Sequence, residues 1–212
     1  MEDQDIKDKI IRGSDELFMK YGVRSVSMDD IARHLSVSKK TLYQYFVDKD
    51  ELVTMILSYY LEEDKKQYEA IMSISKNAVE ELSRISITLK QKMQELNPSF
   101  IYDIQKFHPK AWNLWNEFKV NFILHSMVRN LKQGIEEGLF RPELNPEIIS
   151  VARLVMIETS FNDQVFPKER FNFMDVNWQI FDFFFHGMCT EKGKKLYTKY
   201  RTEIANLETI PK

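Results

Sequence analysis

The stretch VSMDDIARHLSVSKKTLYQYFVDKDEL, residues 26–52, constrains the fold more than any other part of the chain because it repeats the signals that start a helix. Ser27 stands just before Asp29 and Asp30, Ser38 just before Lys39, and Asp48 just before Lys49. A serine or aspartate at such a point accepts a hydrogen bond from a free backbone N–H of the first turn, and acids in that turn suit the helix dipole. The spacing predicts a short helix after Ser27, a second over Lys39 to Phe46, and a longer one from about Lys49 through Tyr60. Ile31 and Leu35 form an apolar i, i+4 pair. Upstream, Ile6, Ile10, Leu17 and Tyr21 recur at helical spacing, Ile11 and Phe18 widen that stripe, and Gly22 is placed to stop the helix. Two short helices joined by about three residues make a helix-turn-helix.

The side chains divide into two groups. Ile31, Ala32, Leu35, Val37, Leu42 and Phe46 suit the contact between the two helices and the first. Lys39, Lys40, Thr41, Tyr43, Gln44 and Tyr45 are left largely outside. A DNA major groove offers base edges, thymine methyls and flanking phosphates. Thr41 suits a methyl or a phosphate, Gln44 a base edge, and the tyrosine hydroxyls phosphates. Lys49 is expected to share a phosphate with a helix N-terminus, and Ser27 to offer its hydroxyl to another. Net charge is −2, so any nucleic-acid contact must be a local patch, here Arg33, Lys39, Lys40 and Lys49 against Asp48. A merely solvated polar face on a small helical bundle fits the same residues.

The segment from Ile10 to Leu52 resembles the TetR family of bacterial transcriptional repressors. LFMKYG carries the Leu-Phe pair before a glycine. Ser27 opens a helix holding Ile31-Ala32, and SKKTLYQYF is followed by Lys49. Lys40 stands where glycine is frequent in that family, and Ser14 where alanine is frequent. The resemblance implies DNA contact by Ser27, Lys39, Lys40, Thr41, Tyr43, Gln44, Tyr45 and Lys49. It fades after residue 60, except that GIEEGLFRPELNPE, residues 134–147, resembles a connection before the last two helices of such proteins.

The rest of the chain also reads as helical, over 77–96, 99–107, 110–137, 147–164 and 169–189, with breaks at Asn97-Pro98, His108-Pro109 and Gly138 and a polar tail after Thr190. In the 110–137 segment, Val120, Leu124, Met127 and Leu131 form one stripe. Trp115, Phe118, Phe122 and His125 form another on a different face. One surface-facing helix needs one stripe. The second, with Trp112, Tyr102 and Asn121, is either core or the wall of a pocket for a flat or greasy ligand. Ile148, Ala152, Val155 and Thr159, then Val176, Ile180, Phe184 and Met188, form a further apolar pair of helices. The family resemblance implies that this pair is a dimer interface, and twofold symmetry suits a palindromic operator.

Other classes find little support. Cys189 is the only cysteine, so no intrachain disulfide forms. The start, MEDQDIKDKI, is too polar for a secretory signal, and no apolar run of membrane-spanning length occurs. His34, His108, His125 and His186 lack paired metal-ligand spacing, and no nucleophile or phosphate-binding motif is found. The expectation is an all-α, cytoplasmic homodimer without cofactor or metal. A helix-turn-helix DNA-binding domain occupies 1–48, and a ligand-binding and dimerisation domain 49–212. It acts as a repressor on double-stranded operator DNA and is released by a small-molecule effector, with no membrane partner and no enzymatic activity. The alternative is a helical ligand-binding or scaffolding dimer that does not read DNA.

Overall fold

The computed structural model describes residues 2–95, 98–162, 164–167 and 169–208. Helices account for nearly all of it: α1 (Glu2–Tyr21), α2 (Met28–His34), α3 (Lys39–Tyr45), α4 (Lys49–Ile74), α5 (Ala78–Glu95), α6 (Pro98–Phe107) and α7 (Pro109–Phe118). A π-helical segment (Lys119–Leu124) follows, then α8 (His125–Glu136), α9 (Pro146–Ser160), α10 (Phe173–Met188) and α11 (Glu191–Glu208). Among the described residues, extended pairing is limited to one isolated bridge, Phe140 with Cys189.

Two expectations need correction. The run over 110–137 is not one regular helix, because the π segment interrupts it. A π turn holds more residues than an α turn, so side chains after it no longer continue the faces begun before it. The supposed tail after Thr190 is α11, whose Tyr197 and Tyr200 are buried. Asn97, expected as a helix stop, lies outside the described residues.

The chain forms two compact units, residues 1–66 with 95–119, and 67–94 with 120–212. The helix-turn-helix lies wholly in the first, which extends well past residue 48. In this unit Ile10 and Phe18 of α1, Ile31 of α2, Leu42 of α3, Phe46, and Leu52, Val53 and Ile56 of α4 share one core. Phe100 and Ile104 of α6 and Ala111 of α7 belong to the same core. Gly22 ends α1 with φ +81°, a left-handed conformation that side chains resist. A Cβ there would also meet the Ser99 hydroxyl of α6 at 2.9 Å. Nearby, the carboxylate of Asp103 accepts the Arg24 backbone N–H at 3.0 Å. Thus α6 grips the connection between α1 and α2.

The second unit packs Ala78, Val79 and Leu82 of α5 with Leu131 of α8, Phe140, Phe185 and Met188 of α10, and Tyr197 of α11. Phe185 and Tyr197 stack with centroids 3.9 Å apart. α8 stops at Gly138 (φ +66°), where the Gly138 and Leu139 N–H groups bond back to the carbonyls of Ile135 and Gly134.

The Ser14 hydroxyl is buried on α1 without a hydrogen-bond partner. Such a group carries its desolvation cost uncompensated. Ser14→Ala is expected to raise stability by about 1 kcal/mol, read as a higher urea midpoint at unchanged slope. A lower midpoint would show that the hydroxyl contributes to the fold.

Candidate nucleic-acid interface

The turn between α2 and α3 is built from local bonds. Ser36 has φ 55°, and its N–H bonds the Arg33 carbonyl at 3.2 Å. The Val37 N–H reaches the Ala32 carbonyl at 3.0 Å. This is a Schellman closure with serine in place of the usual glycine. It turns the chain sharply and delivers Ser38, whose hydroxyl accepts the Thr41 N–H at 2.9 Å and so starts α3. Leu42 and Phe46 then sit in the core at 0% and 1% exposure. With those anchors inside, Lys40, Tyr43 and Gln44 point out and are exposed.

The expected contact residues therefore fall into distinct groups. Lys40, Tyr43 and Gln44 present a continuous outward face. Lys39 is exposed, but its ammonium pairs with Asp29 at 2.7 Å, which also raises its pKa. Thr41 is half-buried, with its hydroxyl 2.7 Å from that of Ser38. Tyr45 is half-buried against the first core.

Ser27 caps α2 as expected, and both Ser27 and Lys49 are engaged by other groups of the protein. Ser27 completes a capping box: its hydroxyl accepts the Asp30 N–H at 3.2 Å, and the Asp30 carboxylate accepts the Ser27 N–H at 3.0 Å. The same hydroxyl donates to Asp30, and that bond is the main reason the carboxyl titrates below its usual range. Lys49 turns inward. Its ammonium donates to the Val23 carbonyl at 2.5 Å and lies over the Phe18 ring, 5.7 Å from the centroid. Burial pushes its pKa down. The N-terminal end of α4 is meanwhile met by its own acids, with Val47 N–H on Glu51 at 2.6 Å and Glu51 N–H on Asp48 at 2.8 Å. A phosphate shared between Lys49 and this helix end is not prepared in this structure.

Charge follows the same division. Arg33 lies 3.5 Å from Asp30, Lys39 pairs with Asp29, and Lys49 is turned in. Among the four cations of the patch, Lys40 is the one without an acidic or carbonyl partner among the described residues.

The expected ligand-binding residues do not form one cluster. Tyr102 is exposed, with Lys106 donating to its hydroxyl at 2.9 Å. Trp112, Trp115 and Phe118 pack against the first core. Phe122 belongs to the second unit and meets Tyr68 edge-on at 5.4 Å. Asn121 is exposed, and His125 is exposed with Nδ1 3.0 Å from the Val120 carbonyl. An open concavity of about 350 Å³ runs along α8, lined by His125, Val128, Arg129, Lys132, Gln133 and Glu136.

The expected dimer residues also divide. Val176 and Met188 are buried within the chain's own second unit, and Ile180 and Phe184 are half-buried. Thr159 is half-buried and bonds back to the Val155 carbonyl at 2.8 Å. Ile148, Ala152 and Val155 are exposed on one face of α9, together with Val151. On α10 the exposed apolar group is Phe183, at 73%, which sequence reasoning passes over. It stands in a run of aromatics whose helical faces cannot be ranked without knowing which one packs inward.

A capped second helix presenting basic, phenolic and amide groups beyond a buried leucine and phenylalanine defines a helix-turn-helix DNA-binding regulator. Residues 10–56 match the family model described as bacterial regulatory proteins, tetR family. This segment of the chain is a TetR-family helix-turn-helix domain, and the curated relatives that the chain resembles over a greater length are transcriptional regulators. It is 27% identical over 171 residues to the HTH-type transcriptional regulator YvaF of Bacillus subtilis (strain 168), covering 79% of this chain and 88% of that protein. It is 24% identical over 140 residues to the HTH-type transcriptional repressor KstR2 of Mycobacterium tuberculosis (strain ATCC 25618 / H37Rv), covering 63% and 68%. Solved structures agree in fold. KstR2 of Mycobacterium tuberculosis superposes with TM-score 0.60 at 21% identity, covering 87% of this chain and 95% of that one. A transcriptional regulator from Saccharomonospora viridis, in complex with choline, superposes with TM-score 0.73 at 16% identity, covering 89% and 100%. Among the described residues no helix is long and apolar enough to cross a membrane.

Lys40→Ala is expected to weaken DNA binding and to lower the slope of log affinity against log salt by about 0.9 for each phosphate that is no longer neutralised. Lys49→Ala is expected to lower the thermal midpoint and leave that slope nearly unchanged. An equal fall in slope for both variants would show that Lys49 swings out onto DNA.

Proposed function

We propose that the chain is a repressor that binds palindromic operator DNA as a homodimer and is released by a small apolar or aromatic effector. Residues 1–48 read the operator and residues 49–212 hold the effector and the partner subunit. The observation that carries this reading is α3, whose Leu42 and Phe46 are buried while Lys40, Tyr43 and Gln44 project together. Lys39, Thr41 and Tyr45 flank that face, and Ser27 and Lys49 hold its supports in position. The cytoplasm is the compartment that such a regulator occupies.

A twofold dimer is supported by the exposed apolar face of Ile148, Val151, Ala152 and Val155 on α9 and Phe183 on α10. Contiguous apolar surface of this kind favours burial against another protein. A homodimer places two copies of α3 at fixed separation, as two half-sites require. The effector acts by binding the operator-fit and operator-misfit states with different affinity. Release is supported by the grip of α6 on the α1–α2 connection through Asp103, since a shift of α6 acts directly on the helix-turn-helix.

Selection from random double-stranded DNA with the purified protein is expected to enrich a palindrome. Recovery of unrelated sequences would favour a helical ligand-binding or scaffolding dimer that does not read DNA. Phe183→Asp is expected to shift the sedimenting species from dimer to monomer at micromolar concentration. An unchanged dimer mass would place the interface elsewhere.

A further inference from the structure

The interior of the second unit contains a charge without a counter-charge. Arg153 of α9 is 6% exposed, and no described residue gives its guanidinium a hydrogen bond or an ion pair. Its specific contact among them is the face of the Phe181 ring, 5.5 Å from the centroid. Burial pushes its pKa down to about 10. The buried acids Glu81, Glu80 and Asp103 each have a partner among the described residues. Glu81 takes Arg129 and the Tyr68 hydroxyl, Glu80 takes Arg84 at 2.7 Å, and Asp103 takes the Arg24 N–H at 3.0 Å. A mostly buried cation without a counter-charge is penalised, because little replaces the water it lost.

A second, independent observation lies one turn away. Ser150 is fully buried, and its hydroxyl has no hydrogen-bond partner. Residues three apart on a helix are neighbours on one face. This face is the inner one, shared with the buried Leu154, whereas Val151, Ala152 and Val155 face outward. Two unused donors, a guanidinium and a hydroxyl, thus belong to residues one turn apart on the inner face of α9.

Their surroundings are largely aromatic, with the Tyr68 hydroxyl on Glu81 and the Lys90 ammonium 5.6 Å from the Trp178 centroid as polar groups nearby. Phe181 lies 5.9 Å from Trp178, and Tyr68, whose hydroxyl is close enough to influence Arg153, lies 5.4 Å from Phe122. All four rings are only half-buried. On its other side Phe181 lies 5.8 Å from Phe185, which with Phe140 is fully buried and closes that side.

We infer that Ser150 and Arg153 form the anchor of an effector site for an organic monocarboxylate with an apolar or aromatic body. This rests on the regulatory reading above and names the chemistry of its effector. A carboxylate supplies the missing negative charge and two acceptor oxygens in the plane that a guanidinium fork matches. A single unmatched cation calls for one negative charge, because Arg129 is already held by Glu81. The half-buried rings around Phe181 receive the body of the molecule.

Isothermal titration of the full-length protein with decanoate and 2-naphthoate, beside their neutral twins decanol and 2-naphthol, tests this. At least one acid is expected to saturate and to bind at least ten-fold more tightly than its twin. Arg153→Met is expected to abolish that preference without lowering the thermal midpoint of the unliganded protein, since it removes an unmatched charge. Arg153→Lys keeps the charge but not the fork and is expected to retain part of the preference, and Ser150→Ala to reduce it several-fold. The proposal is overturned if neither acid saturates, if acids and twins bind alike, or if Arg153→Met binds the acids as the wild type does. It is also overturned if Arg153→Met melts earlier or does not fold, because Arg153 then supports the structure. Operator binding by the wild-type protein without any acid is measured separately, and its absence would sink the regulatory reading alone.

Discussion

The burial of Leu42 and Phe46 is the constraint on which the DNA-reading half depends. Each such side chain is stabilised by roughly 1.5–3 kcal/mol on leaving water. Together they pin α3, a helix of two turns that could not persist alone. Pinning one side of so short a helix determines its other side. The outward position of Lys40, Tyr43 and Gln44 follows from where Leu42 and Phe46 go. The turn before α3 and the caps at Ser27 and Ser38 then set its angle of entry.

Electrostatics refine that face. The acids of the first turn of α2 stabilise their own helix, yet Asp29 also holds Lys39 and Asp30 lies beside Arg33. Because these pairs are solvent-exposed, they are weak and can be exchanged for phosphates. Lys40 needs no such exchange. Of the two positions that depart from the pattern expected of the TetR resemblance, Ser14 is buried and Lys40 faces outward, so on the proposed reading Lys40 is the one placed to bear on operator choice. In the second unit the logic is reversed. There a cation is buried without a partner, and its position inside the protein suits a ligand that brings its own charge.

The helix-turn-helix is legible in the sequence because its signals are local. Caps, first-turn acids and the Ile31–Leu35 spacing all act within a few residues, and the structure places them as the sequence predicts. The inward turn of Lys49 is not legible, because its partners, Val23 and Phe18, are distant in sequence. The π segment escapes because a face pattern read at constant helical spacing cannot reveal a local change of pitch. Trp115 and Phe122 therefore look like neighbours on one stripe although each packs in a different unit. α11 resembles a tail because its lysines and glutamates dominate. The spacing of Gly193, Tyr197 and Tyr200, all buried, is the signal that marks it as a packed helix. An arginine such as Arg153 reads as a solvent-facing residue until the surrounding helices are in place.

On the proposed reading α3 reads DNA through its outward face while its inward face only holds it there. Fluorescence anisotropy with the DNA site recovered by selection, comparing wild type with the Lys40→Ala, Tyr43→Ala, Gln44→Ala triple variant, tests it most directly. The triple variant is expected to lose its preference for that site over random DNA, with helicity and dimer mass intact. Retention of the full preference by a folded triple variant would contradict it.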